Sequence, residues 1–245
     1  MNILIFGGTT EGRLLCEKLA AGPHRVTVSV ATELGAEELA GVPDLTVLCG
    51  RLDQNAMEKL LPGFDLCVDA THPYAVEATG NIRRAAETLE VPLRRLVRPE
   101  SALRDVTVVD SAQAAAAFLS EVPGNILLTT GAKELPAFDG LPRERLFARV
   151  VPTHQRIAAC EALGLRHRNI LALQGPFTRE MNEAMLAQYH IAWLVTKDGG
   201  GPGGYEEKIA AARAKGAGVV LIRRPEENGV SLEDLQRELE ALTCI

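Results

Sequence analysis

Short apolar runs alternate along this chain with longer stretches in which hydrophobic positions recur at helical spacing. The runs are Ile3 to Phe6, Val26 to Val30, Leu45 to Leu48, Leu66 to Ala70 and Leu93 to Val97. A second series comprises Val106 to Val109, Ile126 to Thr129, Leu146 to Val151, Ile170 to Leu173, Trp193 to Thr196 and Val219 to Ile222. This alternation predicts an α/β protein built on parallel sheet. Arg98-Pro99-Glu100-Ser101 interrupts the rhythm and predicts a boundary, giving one unit over residues 1–98 and another over residues 99–245. The expected architecture is two doubly wound parallel-sheet units with a cleft between their carboxyl-edge loops. Ser231 with Asp234 three residues on predicts the start of a last helix, which keeps Leu232, Leu235, Leu239 and Leu242 on one face and reads as scaffold.

Composition narrows the function classes. Hydrophobic residues at 47% and charged residues at 24% describe an ordinary globular protein, which excludes a disordered or fibrous chain. A net charge of -6 and only 4% aromatic residues oppose nucleic-acid binding. No apolar run approaches a membrane span, and the N-terminus enters a strand without a basic leader. The five cysteines are odd in number and lack C-x-x-C spacing, and the five histidines lack ligand spacing. Reduced core thiols, no metal site and a cytoplasmic location are therefore expected.

In open parallel sheets ligands bind outside the carboxyl ends of the strands, so residues just after each run carry the functional weight. The first run leads into Gly7-Gly8-Thr9-Thr10-Glu11-Gly12. Gly7 and Gly12 fit a dinucleotide-binding turn, but Thr9 stands where the central glycine belongs. Free N–H groups at the following helix start could receive a pyrophosphate, with the Thr9 and Thr10 hydroxyls as further donors. The same turn would also serve close packing alone. The fourth run leads into Thr71-His72-Pro73-Tyr74, which sets a titratable ring and a hydroxyl at the sheet edge or merely caps a helix. Gly50-Arg51-Leu52-Asp53 follows the third run.

Three endings in the second half read alike: Thr129-Thr130-Gly131-Ala132-Lys133, Gln174-Gly175-Pro176-Phe177, and the segment from Lys197 and Asp198 through Gly199, Gly203 and Gly204 to Tyr205. The last loop concentrates glycine, which costs folding entropy unless backbone must approach a ligand. Lys197 beside it implies an anionic ligand.

Together ILIFGGTTEGRLL, GRLD, VDATHPYA, VPLRRLVRPE, LQGPF and VTKDGGGPGGYEEK resemble the precorrin-6A reductase family of cobalamin biosynthesis over nearly the whole chain. The resemblance implies two Rossmann-like domains and reduction of the C18–C19 double bond of a corrin precursor with a nicotinamide cofactor. It places Gly7, Gly8, Thr9, Thr10, Glu11, Glu33 and Thr71 at the coenzyme, and His72 at the reacting bond as a proton donor, with ordered water as the alternative. Tyr74, Thr130, Lys133, Gln174, Gly175, Lys197, Asp198, Gly199, Gly203 and Gly204 are then expected to hold the tetrapyrrole.

Family members act on the metal-free or the cobalt-bound precursor, and the cobalt form is favoured here because Glu33 stands where users of the phosphorylated coenzyme carry an arginine. The same residue predicts NADH over NADPH. The expected partner is a small tetrapyrrole, with neither nucleic acid nor membrane, and transient contact with other cobalamin-pathway enzymes would be compatible with that role. Two other readings stay open from the residues: a different Rossmann-type nicotinamide reductase, although a Y-x-x-x-K is absent, and a non-catalytic nucleotide sensor.

Overall fold

The structure, a computed structural model, describes residues 1–97, 105–198, 204–225 and 228–243. The expected break at Arg98-Pro99-Glu100-Ser101 lies outside the described residues, as do Gly199, Gly203 and Cys244. All the predicted strands form. The first sheet comprises β1 (Asn2–Phe6), β2 (Arg25–Val30), β3 (Leu45–Cys49), β4 (Leu66–Asp69) and β5 (Leu93–Arg95). Its order is β3-β2-β1-β4-β5, parallel throughout. Helices α1 (Thr10–Ala20), α2 (Glu33–Glu37), α3 (Gln54–Leu60) and α4 (Val76–Thr88) make the crossovers.

Both faces of this sheet are buried, which explains why its strands read as continuous apolar runs. Ile3, Ile5, Val26, Val28 and Val68 point to one side, against Leu15 and Leu19 of α1. Leu4, Phe6 and Cys67 point to the other, against Met57 of α3 and Ile82, Ala85 and Ala86 of α4. Burial pushes the Cys16 and Cys67 thiols up to about 12, so both remain protonated core groups.

The second sheet comprises β6 (Thr107–Val109), β7 (Asn125–Leu128), β8 (Leu146–Val150), β9 (Ile170–Ala172), β10 (Ile191–Lys197) and β11 (Gly218–Ile222). Its order is β6-β11-β10-β7-β8-β9, again all parallel. One face packs on α5 (Ala112–Ser120), a 3-10 segment (Ala132–Phe138) and α6 (His154–Ala162). The other packs on α7 (Arg179–Gln188) and α8 (Tyr205–Lys215).

The chain divides into two compact units, Met1–Pro99 with Pro225–Ile245, and Glu100–Arg224. The expectation of a second unit running to residue 245 is thereby corrected. Val97 donates to the Val230 carbonyl and Val230 to the Arg95 carbonyl, both at 2.9 Å, so the returning chain bridges to the edge beside β5. Helix α9 (Leu232–Thr243) then inserts Leu235 and Leu239 into the core of the first unit with Ile3, Leu15 and Val26. The periodicity of α9 predicted an apolar face correctly, but not which sheet covers it.

Candidate functional site

In the first sheet the chain winds from β1 to β2 and β3 on one side and to β4 and β5 on the other, so the loops after β1 and β4 flank the point where the order reverses. This is where open α/β sheets bind ligands. The Thr9 hydroxyl joins the two loops. It accepts from the Gly12 N–H at 3.1 Å as the cap of α1 and donates to the Ala70 carbonyl at 2.9 Å. The proton expected to reach a phosphate is thus spent inside the protein.

Backbone is what this turn offers a ligand. The N–H groups of Gly8, Thr9 and Thr10 have no acceptor among the described residues. They sit at the start of α1, where free N–H groups and the helix dipole favour an anion. Gly8 has φ +130° with open space where a Cβ would stand, and a Cβ on Gly12 would lie 3.0 Å from that of Ala70. The turn therefore fits a pyrophosphate cradle, with Gly7 tied to the Ser29 carbonyl at 2.8 Å beneath it. Glu11 lies in the first turn of α1.

Across the reversal point, β4 and β5 set Asp69 opposite Arg95. Their side chains, 2% and 7% exposed, form an ion pair at 2.7 Å. The same Asp69 oxygen accepts from the Thr71 N–H at 3.0 Å and its hydroxyl at 2.7 Å. Thr71, expected at the coenzyme, thus has both donors committed to the protein. His72 is exposed, and its Nδ1 accepts from the Tyr74 N–H at 3.3 Å. The His72 and Tyr74 rings lie 5.5 Å apart.

Glu33 is exposed at the first position of α2, just past β2, with Thr32 capping that helix through the Gly35 N–H. Beside it on this edge, Ser29, Leu48, Cys49, Gly50, Leu52, Ala56, Lys59 and Leu60 line a mostly apolar pocket of about 350 Å³. Arg51 and Cys49 are exposed there.

In the second sheet the order reverses between β7 and β10. That brings Thr130 and Lys197 to neighbouring strand ends. Thr130 is buried, and its hydroxyl has no partner among the described residues. Lys197, expected as a cation for ligand, pairs with Glu134 at 2.6 Å. Asp198 is buried and faces Arg224 at 3.9 Å. Gly204 precedes α8 in the left-handed region with φ 64°. Lys133, Gln174 and Gly175 are exposed; the last two follow β9 at the outer edge, away from the reversal point.

One buried and one partly buried cation of this unit escaped the sequence reading. Arg149 lies in β8, with Nη1 2.7 Å from Asn182 Oδ1 and its guanidinium 4.2 Å from the centre of the Phe177 ring. Burial lowers it to about 10. Lys208 of α8 is lowered to about 8, by burial first and then by the Arg149 charge. A single charge inside the apolar run Leu-Phe-Ala-Arg-Val was the available signal, as were the two arginines within the fifth run, of which Arg95 is buried. Among the described residues no cluster of His, Cys, Asp and Glu could hold a metal, and no helix is long and apolar enough to cross a membrane.

The model of the family described as precorrin-6x reductase CbiJ/CobK matches residues 2–243. The chain belongs to the precorrin-6x reductase family. It is 34% identical over 249 residues to the cobalt-precorrin-6A reductase of Priestia megaterium, covering 98% of this chain and 97% of the relative. Identity to the cobalt-precorrin-6A reductase of Salmonella typhimurium is 37% over 236 residues, covering 91% and 88%. A solved structure of CobK precorrin-6A reductase superposes with a TM-score of 0.79 at 27% identity, covering 98% and 97% of the two chains. Membership makes this reductase a nicotinamide-dependent oxidoreductase of cobalamin biosynthesis. The sensor reading and the unrelated-reductase reading both fall.

Proposed function

We propose that this reductase saturates the C18–C19 double bond of cobalt-precorrin-6A, a nicotinamide coenzyme supplying the hydride when bound. Joining of the turns after β1 and β4 by the Thr9–Ala70 hydrogen bond is the observation that carries this reading. One turn offers free backbone N–H groups for a pyrophosphate, and the other carries His72 and Tyr74. Gly7, Gly8, Thr9, Thr10 and Glu11 border the coenzyme, and the pocket lined by Leu48, Leu52, Ala56 and Leu60 has the apolar walls an adenine ring needs.

His72 Nδ1 accepts from the Tyr74 N–H, so the neutral ring carries its proton on Nε2. In our reading the ring supplies the proton from its doubly protonated form, which must give up the Tyr74 bond at Nδ1, with ordered water as the second source. The conjugated macrocycle already spreads charge, so positioning does most of the chemical work. Tyr74, Thr130, Lys133, Gln174, Gly175, Lys197, Asp198, Gly199, Gly203 and Gly204 are assigned to the tetrapyrrole. Within that set the Lys197–Glu134 pair and the buried Asp198 hold loop shape, leaving Thr130, Lys133 and glycine backbone to meet carboxylates. Cobalt would arrive as part of the substrate. Purified enzyme should oxidise reduced coenzyme only when cobalt-precorrin-6A or precorrin-6A is added, faster with the cobalt form. Consumption of neither form would overturn the reading.

We also infer a preference for NADH. A phosphate on the adenosine ribose would meet the exposed Glu33 carboxylate past β2, whereas an unmodified ribose can donate to it. Arg51, past β3, and Lys59, in the pocket, are opposing cations on this edge and limit the preference. The expected ratio of kcat/KM is on the order of tenfold in favour of NADH. Glu33→Arg should narrow or invert it, and steady-state kinetics with both coenzymes decide the matter. A native preference for NADPH would remove this role from Glu33 and leave the reductase reading intact.

A further inference from the structure

We propose that Arg95 is a positioning residue for the reduction, setting the turn that carries His72 and Tyr74 although it lies beneath that turn. This rests on the reading that the turn faces the reacting bond. One oxygen of Asp69, Oδ1, accepts from Arg95 Nη1 at 2.7 Å, from the Thr71 N–H at 3.0 Å and from the Thr71 hydroxyl at 2.7 Å. Having given its proton to Asp69, the Thr71 oxygen can only accept, and it lies 3.1 Å from Arg95 Nη1 and 3.1 Å from the Thr79 hydroxyl. Thr79 is therefore a donor.

Arg95 Nη1 thus spans the carboxylate and the first hydroxyl of the turn, and lies 3.3 Å from the Asp69 carbonyl as well. Charge-assisted bonds of this kind are short and directional, and a buried guanidinium has little rotational freedom to lose. Helix α4, which the turn leads into, begins at Val76 after Ala75, which supplies no side-chain cap. The Thr79 hydroxyl supplies the missing tie, from the first turn of the helix back to Thr71. Between Thr71 and the helix, the Tyr74 N–H bonds to His72 Nδ1 and the Ala75 N–H to the His72 carbonyl at 2.8 Å, which shapes the turn locally. Register across β4 and β5, through Asp69 and Arg95, ties the turn to the sheet.

Two variants separate positioning from folding. Arg95→Met removes the guanidinium and strands the Asp69 carboxylate, whereas Thr79→Val keeps the ion pair and cuts only the tie to α4. With the full-length enzyme and cobalt-precorrin-6A, Arg95→Met should lower kcat by about a hundredfold, the scale of a misplacement near 1 Å. Thr79→Val should lower it by roughly tenfold on the same basis. Coenzyme Kd and substrate KM should stay within about twofold, and Arg95→Lys should recover much of kcat, since its ammonium can still reach Asp69. Amide hydrogen exchange supplies a readout besides activity: the turn and the first turn of α4 should exchange faster in Arg95→Met and Thr79→Val, with the β1–α1 turn unchanged. Unaltered exchange in Thr79→Val overturns the clamp itself. Faster exchange with native kcat overturns its part in the reaction. If the native enzyme turned over neither substrate form, the reductase reading would fail, and the exchange data would still decide whether Arg95 and Thr79 hold the turn.

Discussion

Gly12→Val should lower affinity for the nicotinamide coenzyme by about a hundredfold, equivalent to about 2.7 kcal/mol. A Cβ at this position would stand 3.0 Å from Ala70 Cβ, 3.4 Å from Thr9 Oγ1 and 3.5 Å from the Ala70 carbonyl oxygen. These are the atoms that join the turns after β1 and β4. The γ-carbons of valine would either force α1 away from the sheet or displace the Thr9 hydroxyl. Both outcomes break the bond to Ala70 and turn the free N–H groups of Gly8, Thr9 and Thr10 away from a common point. Overpacking of this kind also destabilises a fold by about 1–3 kcal/mol, so the variant should be compared at a temperature where it is fully folded. Calorimetric titration with reduced coenzyme checks the effect. Native affinity in a folded Gly12→Val protein would show that the coenzyme does not use this turn.

Leu235→Ala should destabilise the first unit by about 2–5 kcal/mol, as expected for deleting a fully enclosed leucine. Leu235 is 0% exposed, and it packs among Ile3, Leu15 and Val26, residues more than two hundred positions earlier in the chain. Exposed Glu233 on the same helix is the control, and its replacement by alanine should change stability by less than about 0.5 kcal/mol. On the proposed reading that coenzyme binds the first unit, urea unfolding should show the loss in the transition that coenzyme shifts to higher denaturant. The transition that coenzyme leaves unmoved should keep its midpoint. The reverse pattern would return α9 to the second unit, where the sequence alone had put it.

That misplacement marks the limit of what the sequence made legible. Strands buried on both faces appear as unbroken apolar runs, so the sheets could be read directly. Periodicity identified the buried face of α9 through Leu232, Leu235 and Leu239. Which sheet meets that face depends on the path of the chain between β11 and Ser231, and no local pattern encodes that path. At the site, the Gly-rich turn and the His72 turn were visible because glycine and proline constrain backbone locally. The partners of Thr9, Thr71 and Lys197 were not, since each depends on strand register or on a contact between distant segments. Thr9 was expected to reach a phosphate and instead binds the Ala70 carbonyl, 61 positions away. Asp69 and Arg95 both lie in stretches that carry the family resemblance, but only the register of β4 and β5 reveals that they face each other.

The return of residues 225–243 to the first sheet also bears on the order of synthesis. Strands β1 to β5 emerge from the ribosome first, yet the cover over Ile3, Leu15 and Val26 is made only after the whole of the second unit. At ordinary translation rates that interval is on the order of ten seconds. During it the nascent sheet presents an apolar face without α9 and a free edge at Leu96 and Val97, a template for pairing with another chain. The second unit, encoded later but continuous, can complete itself while the first still waits. Folding of the first unit is therefore expected to finish last, and a nascent chain stalled before residue 225 should hold one native unit and one open sheet.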